Sequence, residues 1–272
     1  MTRDQQRQTW MEYHLAQFAE HFGVRILSDP VHSGRLHSVG AKVDMTGELA
    51  WLRVVYADPD WGVGNYLDGN VTANQFDVPR PRAMCSHQYD DHGRTLRGEL
   101  LTYVRDQPVA DEMVLVADPM LPAPWYDQLR AALDLLAAYP TPRSGLDPDD
   151  LDHGIQAFFG VEISTTSVPW RTAHCDLHWG NVTAPGLYLL DWEIWGRAPD
   201  GYDAATLYCS SLAVPEVNRR VHGTLLHLLE TPGGRVSTLA AAVRFLRLVD
   251  EGEHSALAPL LHAAARSAIA RL

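Results

Sequence analysis

The sequence predicts an α+β chain in two lobes, a small antiparallel β-rich lobe followed by a larger, mainly helical one. Three observations carry this. Short β-rich runs separated by turn residues crowd between Val24 and Val104. Apolar-periodic stretches with helix start and stop signals fill most of the chain from Pro124 onward. The 272 residues are 46% hydrophobic and 21% charged, which is enough apolar chain to bury a sizeable core. The expected division is residues 1–108 and 109–272.

Residues 1–21 read as a helix, with Trp10, Tyr13, Leu15 and Phe18 as its apolar stripe. Five strands are expected at Val24–Leu27, Leu36–Met45, Leu49–Tyr56, Arg82–Tyr89 and Thr95–Val104. Thr46-Gly47-Glu48 reads as a hairpin turn. The turn-rich segment Asp58–Phe76 holds at most a short helix, and its Gly62-Val63-Gly64 reads as a loop. A second helix follows Pro122, with Pro124 near its start and Pro140 ending it. Asp147–Phe159 reads as a third, with Asp147, Asp149, Asp150 and Asp152 as a solvated start favoured by the helix dipole. Residues 171–195 hold two short runs around Ala184-Pro185-Gly186. Tyr202–Leu272 is helical in pattern, with one expected break at Pro232-Gly233-Gly234.

Composition narrows the function. The chain carries 22 basic and 34 acidic residues, a formal net charge of −12, which argues against a nucleic-acid partner. Of the basic residues all but Lys42 are arginine. The acidic excess suits solubility and, functionally, a cationic small molecule. Cys85, Cys175 and Cys209 are odd in number and far apart, which argues against a disulfide framework and for a reducing compartment. No apolar run approaches a membrane span, and the first residues show no secretory pattern. A cytoplasmic location without membrane attachment is expected.

The densest polar cluster is His174-Cys175-Asp176-Leu177-His178-Trp179-Gly180-Asn181, followed by Leu190-Asp191-Trp192-Glu193. A loop of this length, with a glycine inside it, brings Asp176 and Asn181 to one side. A small hairpin through Pro185-Gly186 returns Asp191 close to Asn181. Two oxygen ligands, Asn181 and Asp191, suit magnesium, which takes few protein groups beside phosphates and water. Asp176 is left to receive a proton from an attacking hydroxyl. This is the arrangement of phosphoryl transfer in kinases.

The segment HCDLHWGN…LLDWE…GYDAATL, from His174 to Leu207, resembles the aminoglycoside phosphotransferase family, whose pattern is H-G-D-L-H-x-x-N, then D-W-E, then a Y-D-hydrophobic stretch. The resemblance implies a bilobal protein-kinase-like fold, ATP or GTP as donor, Mg2+, and a hydroxyl-bearing small-molecule acceptor, with antibiotic resistance as the outcome. Carried over by position, Asp176 is the catalytic aspartate, and Asn181 and Asp191 are the metal ligands. His174 and His178 hold the loop, and Asp203 is a structural cap. The nucleotide is expected between the lobes, near Thr102–Arg105, with Thr102 and Val104 as nucleotide-binding residues. Glu193, Asp149 and Asp150 are candidate acids for the acceptor.

Four departures from the family pattern stand in the sequence. Cys175 replaces the usual glycine, and cysteine does not take positive φ cheaply. The third-strand lysine is absent. Arg53 occupies its place and is favoured over Lys42 on the preceding strand. For the partner acid, Glu48 and Asp68 are weak candidates, and Glu99 serves if its run is a helix. The nearest thing to a glycine-rich loop is Ser33-Gly34-Arg35.

Three other readings stay open. One is a nucleotide-binding pseudokinase or ligand sensor, and another a metabolite kinase acting on a choline-, homoserine- or sugar-like acceptor. The third is a zinc hydrolase using His174, Asp176 and His178 from one strand face.

Overall fold

The structure is a computed structural model that describes residues 2–33, 36–57 and 65–272. Gly34, Arg35 and Gly62-Val63-Gly64 lie outside the described residues. The chain forms two compact units, Met1–Gln75 with Pro81–Arg105, and Phe76–Arg80 with Asp106–Leu272.

The first unit opens with α1 (Arg3–Phe22). Thr2 accepts the Gln5 backbone N–H, and the Gln5 side chain accepts that of Thr2, so two of the helix's orphan donors are satisfied reciprocally. Gly23 at φ +65° ends it. The strands that follow are β1 (Arg25–Ile26), β2 (Val31–His32), β3 (Ser38–Met45) and β4 (Glu48–Ala57). After the short helix α2 (Gly69–Thr72) come β5 (Ala83–Asp91) and β6 (Arg94–Thr102). All pair antiparallel in the order β1-β3-β4-β6-β5, with β2 also on β3. The five expected strands are present. β2 is too short to leave a periodic signal. Met45 pairs with Glu48, which leaves Thr46-Gly47 as a two-residue loop with φ +52° and +96°. Positive φ at both positions matches the strand twist.

Alternation sorts the sheet into two faces. Val39, Ala41, Val43, Leu52, Val54 and Leu100 pack against Met11, Leu15 and Phe18 of α1. Gly98 makes room there, because a Cβ at this position would stand 2.2 Å from the Phe18 ring. The face that α1 leaves uncovered carries Lys42 and Trp51 as cross-strand partners, then Arg53, Glu99 and Ser86 in line.

In the second unit, Phe76 leaves the sheet's company because its ring packs among Tyr139, Trp192 and Trp195, with centroids 4.6–5.5 Å away. Next come β7 (Gln107–Pro108), α3 (Ala123–Ala138) and α4 (Pro148–Phe159). Asp147 caps α4 by accepting the Asp149 N–H at 2.9 Å. Then follow β8 (Trp170–Ala173), β9 (Thr183–Ala184) and β10 (Gly196–Pro199). β7 pairs with β9, and β8 with β10.

The C-terminal helices are α5 (Tyr202–Ser210), α6 (Pro215–Thr224), α7 (Leu226–Leu229), α8 (Pro232–Asp250) and α9 (Ala258–Ile269). Here one expectation is corrected in part: the helical run has several breaks rather than one. Pro232-Gly233-Gly234 does not break a helix; it begins the long, mostly buried α8, capped by Thr231 accepting the Gly234 N–H at 2.9 Å. Proline fits a first helical turn, where its missing N–H costs nothing. Gly234 is required by close approach, since a Cβ would meet the Leu228 carbonyl oxygen at 2.0 Å. One break, Glu230-Thr231, lies just before this proline, and the run is interrupted at other places as well, with Pro215 and Pro259 likewise marking helix starts.

Candidate active site

The loop 174–181 leaves β8 at Ala173 and is not a strand. His174, Asp176 and His178 therefore do not share a strand face, and each turns to a different task. The His174 ring is fully buried. Its Nδ1 accepts the Asp176 N–H at 3.3 Å, and its Nε2–H donates to the Leu190 carbonyl at 2.7 Å. The ring thus ties the Asp176 backbone to the residue before Asp191. Burial drives its pKa down to about 4, so it stays neutral in this role.

Asp203, in the first turn of α5, bonds to this loop rather than capping its own helix. Its two oxygens accept the backbone N–H groups of His174 at 2.7 Å and Cys175 at 3.0 Å. Burial pushes its pKa up to about 6 despite these two donors. Cys175 sits at φ +68°, the conformation for which glycine is the usual residue. The neighbouring glycines make space for its thiol, since a Cβ on Gly145 would stand 2.5 Å from Sγ.

The Asp176 side chain is 22% exposed. Burial pushes its carboxyl up, but the charges of Arg244 and then His178 outweigh this and hold it below the usual carboxylate range. Arg244, from α8, donates Nη2 to Asp176 Oδ1 and Nη1 to the Cys175 carbonyl, the latter at 3.2 Å. Arg244 carries no local motif. It lies 68 residues beyond Asp176 and was invisible in the sequence.

His178 Nδ1 accepts the Gly180 N–H at 3.1 Å, and its Nε2 stands 3.7 Å from Asp176 Oδ1. Burial lowers its pKa to about 4. The Asn181 amide Nδ2 donates to the Asp176 carbonyl at 3.0 Å and lies 3.2 Å from His178 Nε2. Neither Asn181 Oδ1 nor Asp176 Oδ2 has a hydrogen-bond partner among the described residues. The hairpin brings Asp191 back: Val182 bridges Leu189, and the Leu190 N–H donates to the Asn181 carbonyl at 2.8 Å. Asp191 itself is exposed at φ +60°.

The donor set therefore fits a hard cation such as magnesium: an amide oxygen and a carboxylate on adjacent chain segments. Among the described residues no group of three or more His, Cys, Asp or Glu side chains converges as a metal cluster.

Glu193 is partly buried, and its carbonyl accepts from Arg143 Nη2 at 2.9 Å. Asp150 is held by both terminal nitrogens of Arg247 at 2.7 and 2.8 Å, and Asp149 is exposed. In the first unit Arg53 is 8% exposed and stands 3.7 Å from the fully buried Glu99. The partner acid is thus Glu99, but from strand β6 directly across the ladder, not from a helix. Asn70 of α2 donates to Glu99 at 2.9 Å and Arg97 Nε at 3.2 Å. Lys42 is partly buried on the same face; Thr102 and Val104 lie at the end of β6 and just beyond it.

No protein-family model matches the sequence. No curated protein matches it in a sequence search. Solved structures do match. A thermostable mutant of aminoglycoside phosphotransferase APH(4)-Ia, in ternary complex with ADP and hygromycin B, aligns with a TM-score of 0.60 at 13% identity, covering 94% of this chain and 97% of that one. Aminoglycoside phosphotransferase APH(3'')-Id from Streptomyces rimosus aligns at 0.54 and 15%, covering 85% and 97%. Amicoumacin kinase hAmiN, in complex with AMP-PNP and Ca2+, aligns at 0.54 and 12%, covering 90% and 88%. No helix among the described residues is long and apolar enough to cross a membrane. The chain has the kinase-like α+β fold of the aminoglycoside phosphotransferases.

Proposed function

We propose that this protein is a magnesium-dependent small-molecule O-phosphotransferase, moving the γ-phosphoryl group of ATP or GTP to a hydroxyl of its acceptor. The observation that carries this reading is the loop itself. Asp176 presents an unpartnered carboxylate oxygen, and the Asn181 side chain, bonded to the Asp176 backbone, presents an unpartnered amide oxygen. Asp191 follows the residue bonded to the Asn181 carbonyl. Asp176 orients the acceptor hydroxyl and accepts its proton. Asn181 and Asp191 would hold magnesium, which neutralises phosphate charge when bound. His174, His178 and Asp203 keep the loop in shape.

Arg53 and Lys42, on the uncovered sheet face, supply positive charge to the nucleotide. Thr102 and Val104 contribute main-chain groups to the same ligand, and the nucleotide-binding part spans 1–108. Residues 109–272 carry the transfer site and bind the acceptor. The solved neighbours with bound hygromycin B and with AMP-PNP support an antibiotic acceptor and a nucleotide donor, and resistance would follow from modifying such an acceptor. Glu193 and Asp149 are the acids proposed to face such an acceptor, and Asp150, also a candidate, is engaged by Arg247. The cytoplasm suits this substrate pair.

The test is transfer from ATP and GTP across a panel of aminoglycoside, nucleoside and peptide antibiotics, with choline, homoserine and sugars included. Turnover that needs magnesium and disappears in Asp176→Asn is the expected result. One observation favours a second reading, a nucleotide-binding pseudokinase. Arg53 is nearly buried and spends charge on Glu99. Nucleotide binding without turnover on any acceptor decides for it.

A further inference from the structure

Arg244 is absorbed by none of these roles, yet its surroundings are specific. It reaches from α8 to two consecutive residues of the loop, donating to the Cys175 carbonyl at 3.2 Å and to Asp176 Oδ1. The buried Tyr202 phenol lies beside the same guanidinium. His178 Nε2 stands on the same carboxylate oxygen, 3.7 Å away. The two contacts made to the carboxylate, from Arg244 Nη2 and His178 Nε2, both fall on Oδ1, and Oδ2 has no partner among the described residues. A planar guanidinium bound at two points fixes a carboxylate's rotamer in a way that a single ammonium cannot. The anchor falls where the backbone needs one, beside Cys175 at φ +68°.

We propose that Arg244 is a positioning residue of the transfer site, clamping one oxygen of Asp176 so that the other is presented to the acceptor. This rests on the phosphotransferase reading above. A side chain that only stabilised the fold would contribute equally to every folded property. A positioning side chain acts on the rate at a fixed nucleotide affinity, because misplacing a reacting group by about 1 Å costs on the order of 100-fold.

The experiment uses the full chain with Mg2+ and ATP or GTP, water serving as the acceptor, so that no acceptor need be known. Wild type, Arg244→Ala, Arg244→Lys and Asp176→Ala are compared for kcat, nucleotide KM and circular dichroism. Arg244→Ala is expected to lose about 10–100-fold in kcat with nucleotide KM unchanged within about threefold. Arg244→Lys should recover only part of the rate. Tens of millimolar guanidinium, well below denaturing levels, should restore about fivefold or more to Arg244→Ala and nothing to Asp176→Ala, because it refills the vacated cation site. Two results overturn the proposal: an unchanged kcat in Arg244→Ala, or a loss that follows the unfolded fraction and is not rescued. A wild type that binds nucleotide but turns it over neither with water nor with any acceptor of the panel above overturns the phosphotransferase reading, and the proposal falls with it; where only a panel acceptor gives turnover, the same variants are compared with that acceptor. That failure is recognisable because it is present before any substitution.

Discussion

Acid should loosen the loop before it loosens the rest of the second unit, and the structure fixes the sign. The perturbation is a drop from pH 7 to 4.5. His174 and His178 have folded-state pKa values lowered from 6.5 to about 4 by burial. The folded chain therefore binds fewer protons than the unfolded one, and their stabilisation, complete above pH 6.5, is lost as pH falls toward 4. Each contributes about 1.4 kcal/mol per pH unit across that window, or about 5 kcal/mol for the pair by pH 4.5. Asp203 works the other way. Its pKa is raised from 3.8 to about 6. The folded chain then holds the extra proton below pH 6, returning about 2 kcal/mol by pH 4.5. The net expected loss is about 3 kcal/mol, a large share of an ordinary domain's stability. His14, also lowered chiefly by burial, adds a loss of the same sign in the first unit. The assay is urea unfolding followed by tryptophan fluorescence at pH 7, 6, 5.5 and 4.5. In a His174→Gln variant one imidazole is left to oppose one carboxyl, so the slope contributed by this loop between pH 6 and 4.5 should fall to near zero. A wild-type midpoint that is flat or rises on acidification would refute the reasoning, as would a variant with the wild-type slope.

Three further outcomes follow from the same contacts. Asp176→Asn should abolish transfer while nucleotide affinity stays within a few-fold; it should also cost about 1–3 kcal/mol in urea melts, because Arg244 loses its partner at a site only partly open to water. Glu99→Ala leaves Arg53 and Arg97 facing each other without their shared acid and should destabilise the first unit by about 3 kcal/mol, read as an earlier chemical-denaturation midpoint. It should also change the nucleotide Kd measured by calorimetry. Gly98→Ala drives a Cβ into the Phe18 ring, so a loss of about 1–3 kcal/mol and weakened protection of α1 amides in hydrogen exchange are expected.

The sequence by itself determined the elements whose signals are local. The apolar stripe of α1, the alternation through β3 and β4, the Thr46-Gly47 turn and the prolines bracketing α3 each express a backbone preference within a few residues. The order and spacing of Asp176, Asn181 and Asp191 were legible for the same reason: a loop and a hairpin join them. Only the tertiary structure decided that Arg244 reaches Asp176, that Glu99 faces Arg53 across a ladder, that Asp203 spends both oxygens on the loop, and that Phe76–Arg80 joins the helical unit. It also decided that Pro232-Gly233-Gly234 starts a helix, since Gly234 is demanded by a carbonyl from another turn of chain. Contacts between distant residues are set by packing and register. Neither leaves a trace in local periodicity or residue spacing.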